Sequence, residues 1–438
     1  MKTLTKYSTR LMEKWLPDPL IFVILLTAFI FLLGVFTTPA SPVEMVSFFG
    51  TGFWGLLAFT AQMAMVLLTG HVLAMSSPFK KLLKRLAKLP KSAGQAIIMV
   101  SVVAAVACVI NWGFGLVIGA LFAKEMARTR DDVDYRLLIA SAYSGFLVWH
   151  GGLSGSIPLT IATKGHPFED KIGIIPITDT IFSLQNIITV LSLIIAIPIL
   201  NYLMHPKKED RFIVDSSVLD DTPSDRRLIP STPSEKIENS MILSLVAALL
   251  GFSYVIWHFA TKGFDLNLDI VNLIFLFAGF LLHKTPRNYI DATEEAVKGV
   301  APILIQFPFY GGLMAMMTQS GIAGNISNLF VNISSQDTFQ FLAFISAGIV
   351  NFFVPSGGGQ WAVQAPIMIE AAHALHVPDA KMAMAIAWGD AWTNMIQPFW
   401  ALPALAIAGL KAKDIMGYCL FVMIVSGIII SLAFLFIP

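Results

Sequence analysis

The sequence predicts an all-α polytopic membrane protein: inverted structural repeats, about nine transmembrane helices and two re-entrant hairpins. Three observations predict it. The chain is 56% hydrophobic and only 13% charged, too apolar for a soluble domain. Several apolar runs reach the roughly 20 residues needed to cross about 30 Å of hydrocarbon, and the short alternating strands of a membrane barrel are not seen. The two longest apolar stretches, 93–123 and 338–375, each carry a polar, glycine-bearing break near the middle.

The chain opens on Lys2, Lys6, Arg10 and Lys14, followed by an apolar run from Leu20 to Phe36. That run exceeds a signal-peptide core and has a counterpart later in the chain, so it reads as a retained span. The predicted spans are 18–37, 53–76, 136–150, 181–203, 239–258, 269–283, 299–320, 382–398 and 415–437. The two interrupted stretches read as hairpins that enter the membrane and leave on the same side. With the N-terminus inside, 25 of the 29 Lys and Arg residues fall in cytoplasmic segments. Only Lys164, Lys171, Lys262 and Lys381 fall outside, as the positive-inside rule expects. The stretch "SPFKKLLKRLAKLPK" (77–91) gathers Phe79, Leu82, Leu83, Leu86 and Leu89 on one face and its basic residues on the other. Such a helix lies on an anionic membrane surface.

Residues 205–238 are polar, charged and proline-punctuated, and read as a solvated cytoplasmic linker. They separate a first membrane repeat (1–204) from an extra span plus a second repeat (239–438). The elements of the two repeats follow in the same order, with Asn111 over Asn351 and Pro158 over Pro403. The unpaired span 239–258 turns the second repeat upside down. Inverted repeats with paired interrupted segments point to the binding site of a secondary transporter.

The breaks "NWGFG" (111–115) and "VPSGGGQW" (354–361) are tolerated in a membrane only where they line a polar cavity. Gly113, Gly115, Gly357, Gly358 and Gly359 allow close approach of backbone to a solute. Asn111, Asn351 and Ser356 add polar side chains at the same depth, either as ligands or as caps of half-helices. "WHGGLSGSIP" (149–158) adds Ser154 and Ser156, with His150 beside them at a span end. Asp390, in "AWGDAWTNMIQPFW", is the acidic residue placed well inside a span, which makes it the candidate coupling residue. Thr393, Asn394 and Gln397 follow it on one expected helical stripe. Trp361, Phe399 and Trp400 could wall a small apolar tail. No Lys or Arg is placed in the membrane, so a carboxylate would be held by amides, hydroxyls and a co-bound cation.

A formal net charge of +1 gives no reason to expect a nucleic-acid partner. Cys108 and Cys419 both lie in apolar runs, which argues against a structural disulfide or a cysteine metal cluster. No P-loop, zinc or dinucleotide fingerprint is present, so no cofactor is expected beyond bound Na⁺ or a transported proton. "GLSG" (152–155) fits the short pattern of rhomboid-like proteases, but an enzyme does not need duplicated breaks. A channel would not saturate.

Four blocks carry a family resemblance: "WLPDPLIFVILLT" (15–27), "ACVINWGFGLVIGA" (107–120), "VNFFVPSGGGQW" (350–361) and "QPFWALPALAIAGL" (397–410). Over essentially its whole length the chain resembles the bacterial short-chain fatty acid transporters linked to acetoacetate and butyrate breakdown. The resemblance implies uptake of short-chain monocarboxylates across the cytoplasmic membrane. It also implies kinship with a wider ion-transporter superfamily, whose sodium-coupled dicarboxylate carriers move like elevators, usually as homodimers. The tips here lack the Ser-Asn-Thr sequences of those carriers, so substrate charge and sodium use do not carry over.

Overall fold

The computed structural model describes residues 19–215, 219, 232–351, 354 and 356–437, and among these it contains helices and no strand. The first run comprises α1 (Pro19–Thr37), α2 (Pro42–Gly52), α3 (Leu57–Ala74), α4 (Ser77–Leu86), α5 (Ala93–Ile110), α6 (Trp112–Thr129) and α7 (Tyr135–Ser144). A 3-10 turn (Gly145–Gly151), α8 (Ser156–Ala162) and α9 (Leu184–Leu203) complete it. The second run comprises α10 (Met241–Lys262), α11 (Leu268–His283), α12 (Pro286–Ala296), α13 (Ala301–Ser320), α14 (Ile322–Ile333), α15 (Phe339–Asn351), α16 (Gly357–Ala374) and α17 (Asp379–Thr393). It ends in a 3-10 turn (Asn394–Ile396), α18 (Pro398–Ala408) and α19 (Ala412–Phe436).

Local chemistry sets many of the starts. Ser92, Asp134, Ser183 and Asn267 each accept a first-turn amide with their side chains, opening α5, α7, α9 and α11. Six described helices are long and apolar enough to cross a membrane: α3, α5, α9, α10, α13 and α19. Shorter apolar segments lie in α1, α11, α14 and α15. The expected spans at 136–150 and 382–398 take another form. Each is an α-helix that gives way to a 3-10 turn, and almost all of their residues are buried in protein. Broken backbone is tolerable there because protein, not lipid, surrounds it.

The lipid-facing shell differs in character. Along α10, Met241, Ile242, Leu249, Leu250, Ile256 and Trp257 are all exposed, while Ala248 and Val255 are buried; the helix packs on α11. This is the helix that the sequence reads as the unpaired extra span. In α4, Leu83 is buried and the Phe79 ring meets Phe114 edge-on at 4.8 Å. Lys80, Lys81, Lys84 and Arg85 are exposed. Leu82 and Leu89 are exposed as well, leaving apolar surface for a bilayer to cover.

Both interrupted stretches fold as antiparallel hairpins. In the first, a Cβ on Gly115 would fall 2.5 Å from the Cys108 backbone nitrogen, and one on Gly119 would fall 3.1 Å from the Ala104 Cβ. In the second, Gln360 Nε2 donates to the Ala347 carbonyl at 2.8 Å and Gln364 Nε2 to Ser346 Oγ at 3.3 Å. Packing between the two runs is reciprocal. With α10 set aside, the first helix of each run lies on the second long helix of the other, α1 on α13 and α11 on α3. The short helix after each break lies on the outgoing hairpin arm of the other, α8 on α16 and α18 on α6.

The connector between the runs begins by docking rather than trailing in solvent. Buried Asp134 caps α7 and accepts from the Phe212 amide at 2.7 Å, while Tyr135 N donates to the Phe212 carbonyl at 2.9 Å. The Arg136 guanidinium lies 5.2 Å from the Phe212 ring centre, and Arg211 donates to the Asp132 carbonyl at 2.7 Å. The first residues of the connector are largely exposed, as their polar composition predicts, and backbone pairing to one buried carboxylate ties them down. Residues 216–218 and 220–231 lie outside the described part of the chain.

Candidate functional site

The first hairpin turns on one residue. Asn111 is fully buried and extended (φ −156°, ψ 127°), and its Oδ1 accepts from Phe114 N at 2.9 Å, capping α6. Gly70 leaves room for this cap: a Cβ there would meet Asn111 Oδ1 at 2.3 Å. Gly113 rides on the backbone of Leu67, and Gly115 on that of Cys108. The segment after α7 clasps the tip from outside. Ser154 Oγ accepts from Trp112 N at 2.9 Å, and Leu153 N donates to the Val109 carbonyl at 2.6 Å. Ser154 therefore secures a helix start, a different task from that of a protease nucleophile. Ser156, also buried, begins α8.

The described part of α15 runs to Asn351, and Ser356 starts α16 with φ −159° and ψ 117°, its Oγ accepting from Gly359 N at 3.4 Å; residues 352, 353 and 355 lie outside the described part. The backbone and capping role of Asn111 are thus matched by Ser356, 245 residues on. Pro158 and Pro403 stand at the same spacing, as do Gly145 and Asp390. The sequence pairing of Asn111 with Asn351 was five residues off, because identity of residue type drew the alignment and backbone role did not. Asn351 acts differently. Its Nδ2 donates to the Asp390 carbonyl at 3.0 Å and to Thr393 Oγ1 at 2.9 Å, and its carbonyl accepts from Gln397 Nε2 at 2.9 Å.

Three glycines then let large groups approach α16. Gly357 faces His150, Gly358 faces the rings of Phe59 and Phe307, and Gly359 faces the ring of Tyr310. A Cβ at Gly357 would lie 2.5 Å from His150 Nε2 and 2.7 Å from its Cε1. His150 Nε2 in turn sits 3.1 Å from Asp390 Oδ2, and neither side chain is exposed. The 3-10 turn after α7 thereby carries His150 to the second tip and, one residue earlier, Trp149 to the first. The Trp149 ring meets Trp112 edge-on at 5.6 Å and stacks on Phe146 at 5.2 Å. Trp400 closes the group, 5.3 Å from Trp112. The two tips are joined through one aromatic and imidazole cluster, buried in protein.

The helical stripe expected from Asp390 to Gln397 does not form as one helix. α17 stops at Thr393, Asn394 lies in the 3-10 turn, and Gln397 is extended before α18. The residues converge nonetheless. Asn394 accepts from Tyr143 Oη at 2.6 Å through its carbonyl and from Trp149 Nε1 at 3.3 Å through Oδ1. Thr393 Oγ1 donates to the Gly348 carbonyl at 3.0 Å. Trp361 is buried one turn along α16, edge-on to Phe168 at 5.7 Å, while Trp400 stays in the cluster. The Phe399 side chain lies outside the described part. Sequence reasoning missed Trp112, Trp149 and Tyr143 and left His150 at a span end. The available signal was adjacency, since the two tryptophans and the histidine directly flank a break.

Several buried polar atoms here have no hydrogen-bond partner among the described residues: His150 Nδ1, Asp390 Oδ1, Asn351 Oδ1, Gln360 Oε1, Gln397 Oε1, Asn394 Nδ2 and Asn111 Nδ2. A buried polar atom left unpaired costs about 1–3 kcal/mol. Their concentration around the tips marks a place for polar guests: a solute, a cation or water. Among the described residues no cluster of three or more His, Cys, Asp or Glu forms a metal-holding group.

The chain was compared with known proteins. A family model described as short chain fatty acid transporter matches residues 1–437. A provisionally named short-chain fatty acid transporter of Escherichia coli (strain K12) is 48% identical over 97% of both chains. A relative of the same name from Haemophilus influenzae is 45% identical over 98% of this chain and 99% of its own. Among solved structures, the YdaH transporter of Alcanivorax borkumensis, noted for an unusual topology, superposes with a TM-score of 0.61 at 16% identity. That match covers 95% of this chain and 97% of the other, and it is a likeness of fold. With full-length matches to a family model and to two relatives, the chain belongs to the short-chain fatty acid transporter family and is a multi-pass membrane transporter, not an enzyme.

Proposed function

We propose that the protein imports short-chain monocarboxylates, butyrate, acetoacetate or similar acids, across the bacterial cytoplasmic membrane. Import is coupled to a cation and proceeds by alternating access. The observation that carries this reading is the fully buried Asp390 carboxylate between the two hairpin tips, one oxygen on His150 and the other unpartnered. A carboxylate is expensive in a membrane, so one kept there marks a functional position. Asn111, Gly113, Gly115, Ser154 and Ser156 shape the first tip. Asn351, Ser356, Gly357, Gly358, Gly359, Trp361, Asn394 and Gln397 shape the second, with Asp390 and Thr393 at the coupling position. Reciprocal packing of the two runs supports a duplicated fold whose halves face opposite sides, and the distribution of Lys and Arg supports an N-terminus in the cytoplasm. Burial of both tips favours a carrier over an open pore. Homodimerisation is part of the same reading.

The test is uptake of labelled butyrate and acetoacetate into proteoliposomes, set against protein-free vesicles, with proton and sodium gradients imposed separately. Asp390→Asn should abolish gradient-driven accumulation. Undiminished driven uptake by that variant would reject the coupling role. Accumulation only against a preloaded carboxylate would make the protein an exchanger.

A further inference from the structure

The geometry points to His150 as a proton-operated clasp that holds Asp390 with one ring nitrogen and the solute's carboxylate with the other. This inference rests on the monocarboxylate reading above and names its coupling ion as the proton. The pair fixes the tautomer. With Nε2 3.1 Å from Asp390 Oδ2 and the carboxylate ionised, Nε2 carries the hydrogen. Nδ1 is then a lone pair, buried and without a partner among the described residues. The ring edge through Nε2 and Cε1 lies against Gly357, the first residue of an 18-residue helix. First-turn amides of a helix lack intrahelical acceptors and favour an anion. Ser356 takes the Gly359 and Gln360 amides, so a carboxylate at this tip would meet the Gly357 and Gly358 amides and Nδ1, which adjoins Cε1 in the ring.

A neutral Nδ1 repels that carboxylate, lone pair against lone pair. A protonated Nδ1 donates to it. Loading therefore requires one proton to add to the Nδ1 lone pair as the carboxylate arrives; no other bond forms or breaks, and release reverses the step. The buried charge is the same empty and loaded. Empty, there is a neutral imidazole and one carboxylate. Loaded, there is an imidazolium between two carboxylates. The carrier crosses both ways with one net negative charge, so a cycle moves one proton and one carboxylate together, without net charge.

Among the described residues the surroundings supply no rival proton donor at close quarters. The elements packed on this 3-10 turn are α5, α6, α7, α8, α9 and α17. Of their titratable groups near the tips, Tyr143 donates to the Asn394 carbonyl, and the Cys108 sulfur lies where a Gly115 side chain would sit. Across Asp390, Tyr310 on α13 faces Gly359 and has Gln306 Oε1 at 3.5 Å. Lys124, Glu125, Arg128, Arg136, Tyr135, Tyr202, Asp379, Lys381, Glu370 and His373 occupy the far ends of their helices.

The test is proton uptake on binding. The purified full-length protein in detergent is mixed with sodium butyrate in weakly buffered solution, at pH values between about 6 and about 8. A pH indicator reads protons while tryptophan fluorescence reads binding. The clasp predicts about one proton taken up per butyrate bound, with affinity rising up to about tenfold per unit fall in pH. His150→Gln should remove the proton uptake and weaken binding about 10- to 100-fold, as for loss of one hydrogen bond to a charged group. Asp390→Asn should still bind butyrate, with its proton-linked range moved about 1–3 units to lower pH, since an adjacent carboxylate stabilises imidazolium. Butyrate binding without proton uptake in the unaltered protein overturns the clasp alone. Binding that takes up no proton and requires sodium assigns the coupling ion to the unpaired amide oxygens and also overturns it. Failure of every short monocarboxylate to bind rejects the transport reading, and the clasp with it.

Discussion

The two hairpin tips use one device and put it to different ends. Each starts a helix with a buried, extended cap, Asn111 at the first and Ser356 at the second. The first tip closes on itself: one residue joins its arms, and Ser154 and the Val109 carbonyl lock it to the segment after α7. The second carries three glycines and turns toward His150 and Asp390. Around it the polar atoms are least satisfied, with Asn351, Gln360, Asp390 and Gln397 each leaving an oxygen unpaired. One hairpin can thus serve as a rigid seat while the other is free for chemistry.

Alanine in place of a tip glycine should break the comparison most sharply. At Gly115 the obstructing atoms are the Cys108 backbone N and Cα at 2.5 and 2.6 Å, which cannot move alone. Gly115→Ala should lower stability by about 1–3 kcal/mol, read as a lower melting temperature in detergent, with transport falling in parallel. At Gly357 the nearest atoms belong to the His150 and Trp149 side chains. Gly357→Ala should leave melting nearly unchanged and lower uptake on the order of tenfold or more, since displacing a working group by about 1 Å is costly. Equal effects on melting would remove the distinction between seat and working tip.

Hydrogen-bond deletions sharpen the same contrast with smaller effects. Ser154→Ala leaves the Trp112 amide without its acceptor and should cost about 1–3 kcal/mol of stability, with the KM for butyrate unchanged. Asn351→Ala removes donations to the Asp390 carbonyl and Thr393, and should raise KM as well as lower stability. A KM change in the first variant and none in the second would reverse the assignment of roles. Smallest of all, exchanging the caps by Asn111→Ser and Ser356→Asn should shift stability by no more than about 0.5 kcal/mol, as Asn and Ser cap comparably. A larger loss at either position would show that the side chain does more than cap.

Much of this was legible in the sequence, and the reasons are physical. Apolar run lengths located the long helices, and glycine-bearing breaks located both tips, because hydrocarbon tolerates neither charge nor unpaired backbone. Asp390 stood out as a carboxylate in an apolar run. Its partner did not, since the His150 contact joins residues 240 apart and nothing local marks it. The 3-10 turns at 145–151 and 394–396 were invisible because an apolar stretch reads alike in either helix type. The five-residue slip between Asn351 and Ser356 arose because residue type drew Asn111 to Asn351, and only backbone conformation shows which residue does the capping.

The docking of Phe212 onto Asp134 and Tyr135 bears on where this gene could be divided. A break placed at the composition boundary near residue 204 would leave the strap that seals α7 on the wrong fragment. Co-expressed pieces separated after residue 219 instead keep Asp134 covered and leave the Leu219 carbonyl on Arg128, which makes that point the natural seam for a two-chain version of the protein.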